Sequence, residues 1–288
     1  MFQYEIVPGF FAQDDPNADA ALIGATPAAF GLLDTSSDRW STFRSRIENM
    51  NTQSPSGTSY KVVFFGRHGE GYHNLGKATH GPEAWDGILS RLEGDGTMTW
   101  GPDPQLTPLG VQQAEAARAL WITERAAGAP LPDKMFCSPF QRALKTCAVT
   151  FGGVVEHGKI VLVLENLRER SGVHTCDRRH PRSRIIASLP TLPISSSQSQ
   201  VEFEIALDVT EEDTYWDPET RETMDQVSAR ARSVLDRVFG ANDAGDTTFV
   251  SITAHVDIIE GFLLALGRGR YSLPTGGVIP VVVKATKL

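Results

Sequence analysis

Tyr60-Lys61-Val62-Val63-Phe64-Phe65-Gly66-Arg67-His68-Gly69-Glu70-Gly71-Tyr72-His73-Asn74 is the stretch on which the fold turns. Its opening residues, 60–65, form a largely apolar run that reads as a buried strand. An arginine, a histidine and a glycine then stand where that strand ends and the chain turns. In open α/β sheets this edge is where ligands bind. Arg67 offers a planar fork of donors that matches phosphate oxygens, and His68 offers a nitrogen nucleophile near neutral pH. Gly69 removes a side chain from the turn and is expected to let main-chain N–H groups approach an anion.

Three further strand ends carry matching chemistry. Ser138-Pro139-Phe140-Gln141-Arg142-Ala143-Leu144-Lys145-Thr146 follows the short strand 134–137. Ser138 and Pro139 read as a helix start, which places Arg142 in the first turn, near the strand edge. The run 159–164 leads to Glu169, and the strand 248–254 leads directly to His255. Alternation of such strands with helical segments predicts an α/β fold. Two arginines, two histidines and one glutamate at strand ends suit phosphomonoester cleavage. Fixed cations stabilise the peripheral oxygens of a phosphoryl group in flight. One imidazole attacks phosphorus, and a carboxylic acid protonates the departing alkoxide, a contribution of about 10²–10⁴ in rate.

These motifs resemble those of the histidine phosphatase superfamily, also called phosphoglycerate mutase-like. Arg67, His68, Gly69 and Asn74 match its opening motif; Ser138, Pro139, Arg142, Ala143 and Thr146 match its second; Leu106-Thr107-Pro108-Leu109-Gly110 matches the phrase before its first long helix. The resemblance spans about residues 60 to 284. It implies a three-layer α/β/α sandwich with a mostly parallel central sheet. It also implies His68 as the phosphorylated nucleophile, Glu169 as proton donor and His255 as a catalytic histidine that holds phosphate. Arg67 and Arg142 would bind phosphate, and Asn74 would help place the nucleophile or its phosphate. The stretches 71–74 and 172–179 are similar to plant and fungal mutase-like phosphatases, which makes His73, Arg178 and Arg179 candidate substrate contacts. One departure stands out: Val256 and Asp257 follow His255 where a small residue or glycine is usual. A β-branched residue there restricts backbone approach to phosphate. Asp257 either repels an anion or complements the N-terminus of the following helix.

Composition sets the bounds. With 288 residues and a net charge of −8, the chain lacks the broad basic surface that nucleic acid requires. An anionic substrate must therefore be drawn in by a local arginine pocket. Three scattered cysteines fit reduced thiols in a cytoplasmic protein. No leader pattern and no bilayer-length apolar run is expected, so neither membrane nor nucleic acid is a partner. No spacing typical of a zinc site occurs among the histidines, so neither metal nor other cofactor is implied.

Residues 1–59 read as an N-terminal extension whose Trp40, Phe43 and Ile47, at helical spacing, pack on a catalytic domain spanning 60–288. That domain carries two irregular insertions, at about 75–105 and 171–218, the second holding the run Ser195–Ser199. Helices are expected over 108–127, 220–239 and 258–266. Pro280 hints at an edge strand or bulge in a closing strand over 277–283. The leading functional reading is a phosphatase that hydrolyses a small phosphorylated metabolite through phosphohistidine. A phosphomutase using the same pocket, and a phosphoester-binding or repurposed non-phosphatase protein, are the alternatives.

Overall fold

The computed structural model describes residues 1–189, 201–240 and 247–288; the Ser195–Ser199 run and part of the second insertion fall outside them. In chain order the elements are β1 (Phe2–Ile6), α1 (Ala20–Ile23), α2 (Arg39–Thr52), β2 (Thr58–Arg67), α3 (Tyr72–His80), α4 (Pro82–Gly87), α5 (Pro108–Ala126), β3 (Lys134–Cys137), α6 (Gln141–Phe151), β4 (Ile160–Val163), α7 (Arg182–Ser188), β5 (Glu202–Ile205), α8 (Met224–Phe239), β6 (Phe249–Ala254), α9 (Val256–Ala265) and β7 (Val278–Lys287). The strands form one sheet in the order β1-β7-β2-β6-β3-β4-β5. β2, β6, β3, β4 and β5 pair in parallel, and only β7 runs against the rest.

Strand periodicity builds the three layers. Side chains alternate between the faces of a strand, so Val62 and Phe64 of β2 enter one core while Val63 and Phe65 enter the other. On the first face they meet α2, α5 and α6, with Phe64 and Trp121 ring centroids 4.9 Å apart. On the second they meet α8 and α9, with Phe65 and Phe262 at 4.8 Å. Full burial of each such ring contributes about 1.5–3 kcal/mol. Two helices start on recognisable signals: Thr107 caps α5 by accepting from Gly110 N, with Pro108 in the first turn, and Thr223 with Gln226 forms a capping box on α8.

The N-terminal extension supplies part of this frame. β1 pairs with β7, and Trp40, Phe43 and Ile47 of α2 are buried in the first core. Its attachment is also polar: the buried Glu124 carboxylate of α5 accepts from Trp40 Nε1 and Arg39, both at 2.9 Å, and from Ala29 N at 3.1 Å.

One expectation is corrected and another refined. Residues 75–105 are not irregular throughout, since α3 and α4 occupy much of the segment. Gly76 breaks the sequence pattern without breaking α3, because the space a Cβ would take is filled by the Trp100 and Trp85 rings. The closing strand has no strand partner on its outer side at Pro280, in line with the hint, but runs on as an interior strand from Val283 onward, where β1 covers it. Pro280 is tolerated because the β1 ladder ends before it, between Val278 N bonded to Ala25 O and Val282 O bonded to Val7 N. Among the described residues, no helix is long and apolar enough to cross a membrane.

Candidate active site

Four neighbouring parallel strands end on the same side of the sheet. β2 delivers Arg67 and His68, β6 delivers His255, β3 leads to Ser138 and Arg142, and β4 leads to Glu169. A cleft of about 550 Å³ opens there, lined among others by Arg67, His68, His73, Asn74, Glu169, Arg170, Asp177, Arg221 and Asp257.

His68 is almost fully buried, and its Nδ1 lies 2.6 Å from the Gly69 carbonyl. A carbonyl only accepts, so Nδ1 carries the proton and Nε2 keeps its lone pair. Burial, and then the Arg142 and Arg67 charges, hold the ring well below the ordinary histidine pKa, so it is neutral at pH 7. The His255 ring lies 5.0 Å from that of His68, centroid to centroid. Its Nε2 is 2.7 Å from the Ser138 hydroxyl, while its buried Nδ1 has no protein partner. The Ser138 oxygen also accepts from Phe140 N at 3.4 Å, so the serine ties the His255 ring to the start of the following helix. Burial and Arg142 likewise lower the pKa of His255.

Ser138 was expected to cap a helix. The helix begins later, at Gln141, with Phe140 at its N-cap. Pro139 lies between the two, and the serine hydroxyl serves His255 instead. Arg142 falls in the first turn as expected and is completely buried. It stacks over the Phe140 ring at 4.5 Å, donates to Cys176 O at 2.9 Å and pairs with Asp177 at 3.2 Å. Arg67 spends one terminal nitrogen on Leu273 O at 2.7 Å.

Backbone contact joins the motifs. Thr146 lies one helical turn beyond Arg142; its hydroxyl donates to Arg142 O at 2.8 Å and accepts from Gly69 N at 3.0 Å. The Gly69 N–H is thereby occupied rather than open to an anion, contrary to expectation. The glycine is required because a Cβ would overlap the Gly110 carbonyl, and Gly110 in turn lies against Glu70 O. Asn74 accepts from Gly71 N at 3.0 Å through Oδ1, which leaves its amide N–H donors turned elsewhere. Glu70 accepts from the Thr107 hydroxyl at 2.7 Å and shapes this turn.

Glu169 carries the most useful electrostatics. Its Oε1 accepts from Arg170 N at 2.9 Å and Asp257 N at 3.1 Å. Burial, with the Asp257 and Asp177 carboxylates adding to it, pushes its pKa up to about 8. It is therefore a carboxylic acid at neutral pH, able to donate a proton. Asp257 occupies the first turn of α9 and also lines the cleft, so both of its anticipated placements are realised at once.

Arg178 and Arg179 lie away from the cleft. Arg179 is buried, paired with Glu165 at 2.8 Å and bonded to the carbonyls of Thr210 and Glu212. Arg178 is exposed, with its guanidinium 5.4 Å from the Trp216 ring. The basic groups that do line this wall are Arg170 and Arg221, which sequence reasoning missed. Asp177 was missed too; it binds Arg221 at 2.9 Å as well as Arg142. Of these, only Arg170 had a signal, its adjacency to Glu169. His73 and His174 line the cleft, and burial pushes the His174 pKa down to about 4. The ligand atoms of His174, Cys176 and Asp177 lie within 4.8 Å of one another. Asp177 is already neutralised by two guanidiniums, and burial holds the Cys176 thiol in its neutral form, so the trio suits a cation poorly.

Comparison with known proteins agrees with the motifs. The profile of the histidine phosphatase superfamily (branch 1) matches residues 63–182. A probable phosphoglycerate mutase of Arthroderma benhamiae is 37% identical, over 98% of this chain and 84% of its own length. A probable phosphoglycerate mutase of Saccharomyces cerevisiae is 32% identical, over 78% of this chain and 79% of its own. Phosphomutase-like protein 3 of Candida albicans is 29% identical, over 98% and 80%. With these relatives aligned along nearly its whole length and the paired histidines at its sheet edge, the chain belongs to the phosphoglycerate mutase-like histidine phosphatase superfamily.

Proposed function

We propose that the protein is a phosphatase that hydrolyses a small phosphorylated metabolite through a phosphohistidine intermediate. The observation that carries the reading is the His68 ring: Nδ1–H is held by the Gly69 carbonyl, and a neutral Nε2 is left as nucleophile in a cleft shared with Arg67 and Glu169. The Nε2 lone pair forms the N–P bond as the ester P–O bond breaks, and Glu169 gives its proton to the leaving oxygen. Arg67, Arg142 and His255 steady the phosphoryl oxygens, with Asn74 at the rim. Water then attacks phosphorus and yields its proton to the Glu169 carboxylate. The N–P bond breaks, and phosphate and the protonated acid are regenerated.

In single-turnover experiments quenched with alkali, phosphate is expected on His68 by mass spectrometry, and His68→Ala abolishes both adduct and phosphate release. Full turnover by His68→Ala would defeat the mechanism. The fungal relatives named as probable phosphoglycerate mutases favour a second reading, a mutase that returns phosphate to another oxygen of the substrate. Isomer formation from a phosphorylated sugar acid without free phosphate would select it. The open cleft, accessible to water, favours hydrolysis.

A further inference from the structure

Two of the carboxylates lining the cleft are ion-paired, and Asp257 is not. Asp177 is held between Arg142 and Arg221, and Asp86 pairs with Lys77 at 3.5 Å. Arg67 faces the phosphoryl end. Arg170 spends Nε on the Glu222 carbonyl. Asp257 differs: its main-chain N–H donates to Glu169 Oε1. Its carboxylate lines the cleft with neither a hydrogen-bond donor nor an ion-pair partner. Arg170, Arg221 and Arg270 act on it only at longer range, opposed by burial and by Asp177. An acceptor with no donor therefore stands beside the acid that protonates the leaving oxygen.

Resting on the phosphatase reading above, we propose that Asp257 sets the substrate class: phosphate monoesters whose alcohol carries hydroxyl or ammonium donors near the ester oxygen are accepted, and those carrying a carboxylate there are rejected. A donor-bearing alcohol gives the carboxylate the hydrogen bond it lacks. A carboxylate-bearing one places two like charges at roughly 6 Å; at an effective dielectric of about 20 this corresponds to on the order of 100-fold in affinity.

Two matched pairs of esters test this. Glycerol 3-phosphate and 3-phosphoglycerate differ by CH₂OH against COO⁻; phosphoethanolamine and phosphoglycolate contrast an ammonium with a carboxylate. At pH 7, kcat/KM from phosphate release is expected to favour the donor-bearing member of each pair by tenfold or more. Asp257→Asn should shrink that ratio by at least tenfold, chiefly by improving the carboxylate members; any change in the shared acid Glu169 cancels in the ratio. Preference for the carboxylate members, or a ratio unmoved by Asp257→Asn, overturns the proposal. Calorimetric Kd values for the same four esters with His68→Ala and with His68→Ala/Asp257→Asn give a readout independent of turnover. Phosphate release that survives His68→Ala, or is missing for every ester, defeats the phosphatase reading, while the Kd ratios still decide the role of Asp257.

Discussion

Replacing Glu169 with glutamine removes the proton source without changing the shape of the site. The size of the effect follows from its surroundings. At a pKa of about 8, roughly nine in ten Glu169 side chains are protonated at pH 7. Burial, beside Asp257 and Asp177, thus raises the share of acid available at pH 7 far above that of an ordinary glutamate. A positioned acid contributes about 10²–10⁴ in rate. Glu169→Gln should therefore lower kcat/KM by two to four orders of magnitude for alkyl phosphates, whose alkoxide must be protonated as it leaves. With p-nitrophenyl phosphate, whose leaving group departs as a stable anion, the loss should stay within about tenfold. The sign of the pH dependence is fixed: Glu169 works protonated, so activity is present below about pH 8 and lost above it. The second ionisation of the substrate phosphate, near pH 6, affects only the acid limb. Stopped phosphate-release assays from pH 5 to 10 on both ester types measure this. A high-pH limb that survives in Glu169→Gln, or equal losses for alkyl and aryl esters, would refute the assignment.

Three other variants probe the support of the site. Ser138→Ala removes the partner of His255 Nε2; loss of about 1 kcal/mol of hydrogen bonding predicts a roughly fivefold fall in kcat/KM and an altered acid limb, with little change in melting temperature. Gly69→Ala forces a methyl group against the Gly110 carbonyl and should cost about 1–3 kcal/mol in urea unfolding, along with most of the activity. Asp177→Asn removes the counter-charge shared by Arg142 and Arg221, leaving Arg142 only Asp103 at 3.7 Å; a loss of about 1–3 kcal/mol and a raised KM are expected from denaturation and steady-state kinetics.

Local patterns carried most of the architecture. Val62 to Phe65 announced a strand buried on both faces, and the positions of His68, Arg142, Glu169 and His255 after strands followed from counting along the chain. Contacts between distant residues were beyond that reading. Arg179 looks like a substrate ligand until Glu165 and the carbonyls of Thr210 and Glu212 are brought against it. Ser138 looks like a helix cap until His255, 117 positions away, is folded beside it. Nothing in the sequence shows that the Trp100 and Trp85 rings fill the space beside Gly76. β1 is short and polar on alternate positions, so only its pairing with β7 identifies it as part of the sheet. The depth of the Glu169 shift depends first on burial and then on Asp257, which lies far from it in sequence.

The central position of β2 has a consequence for how the chain acquires its shape. Its hydrogen-bonding neighbours, β6 and β7, both come from the last forty residues. During synthesis, Val62 to Phe65 and their bare main-chain groups wait for nearly two hundred further residues before either partner exists. Such long-range pairing slows folding and leaves a sticky strand open to other chains meanwhile. Nascent chains stalled before β6 should therefore engage chaperones and aggregate, while release of the final strand should trigger a single late, cooperative collapse.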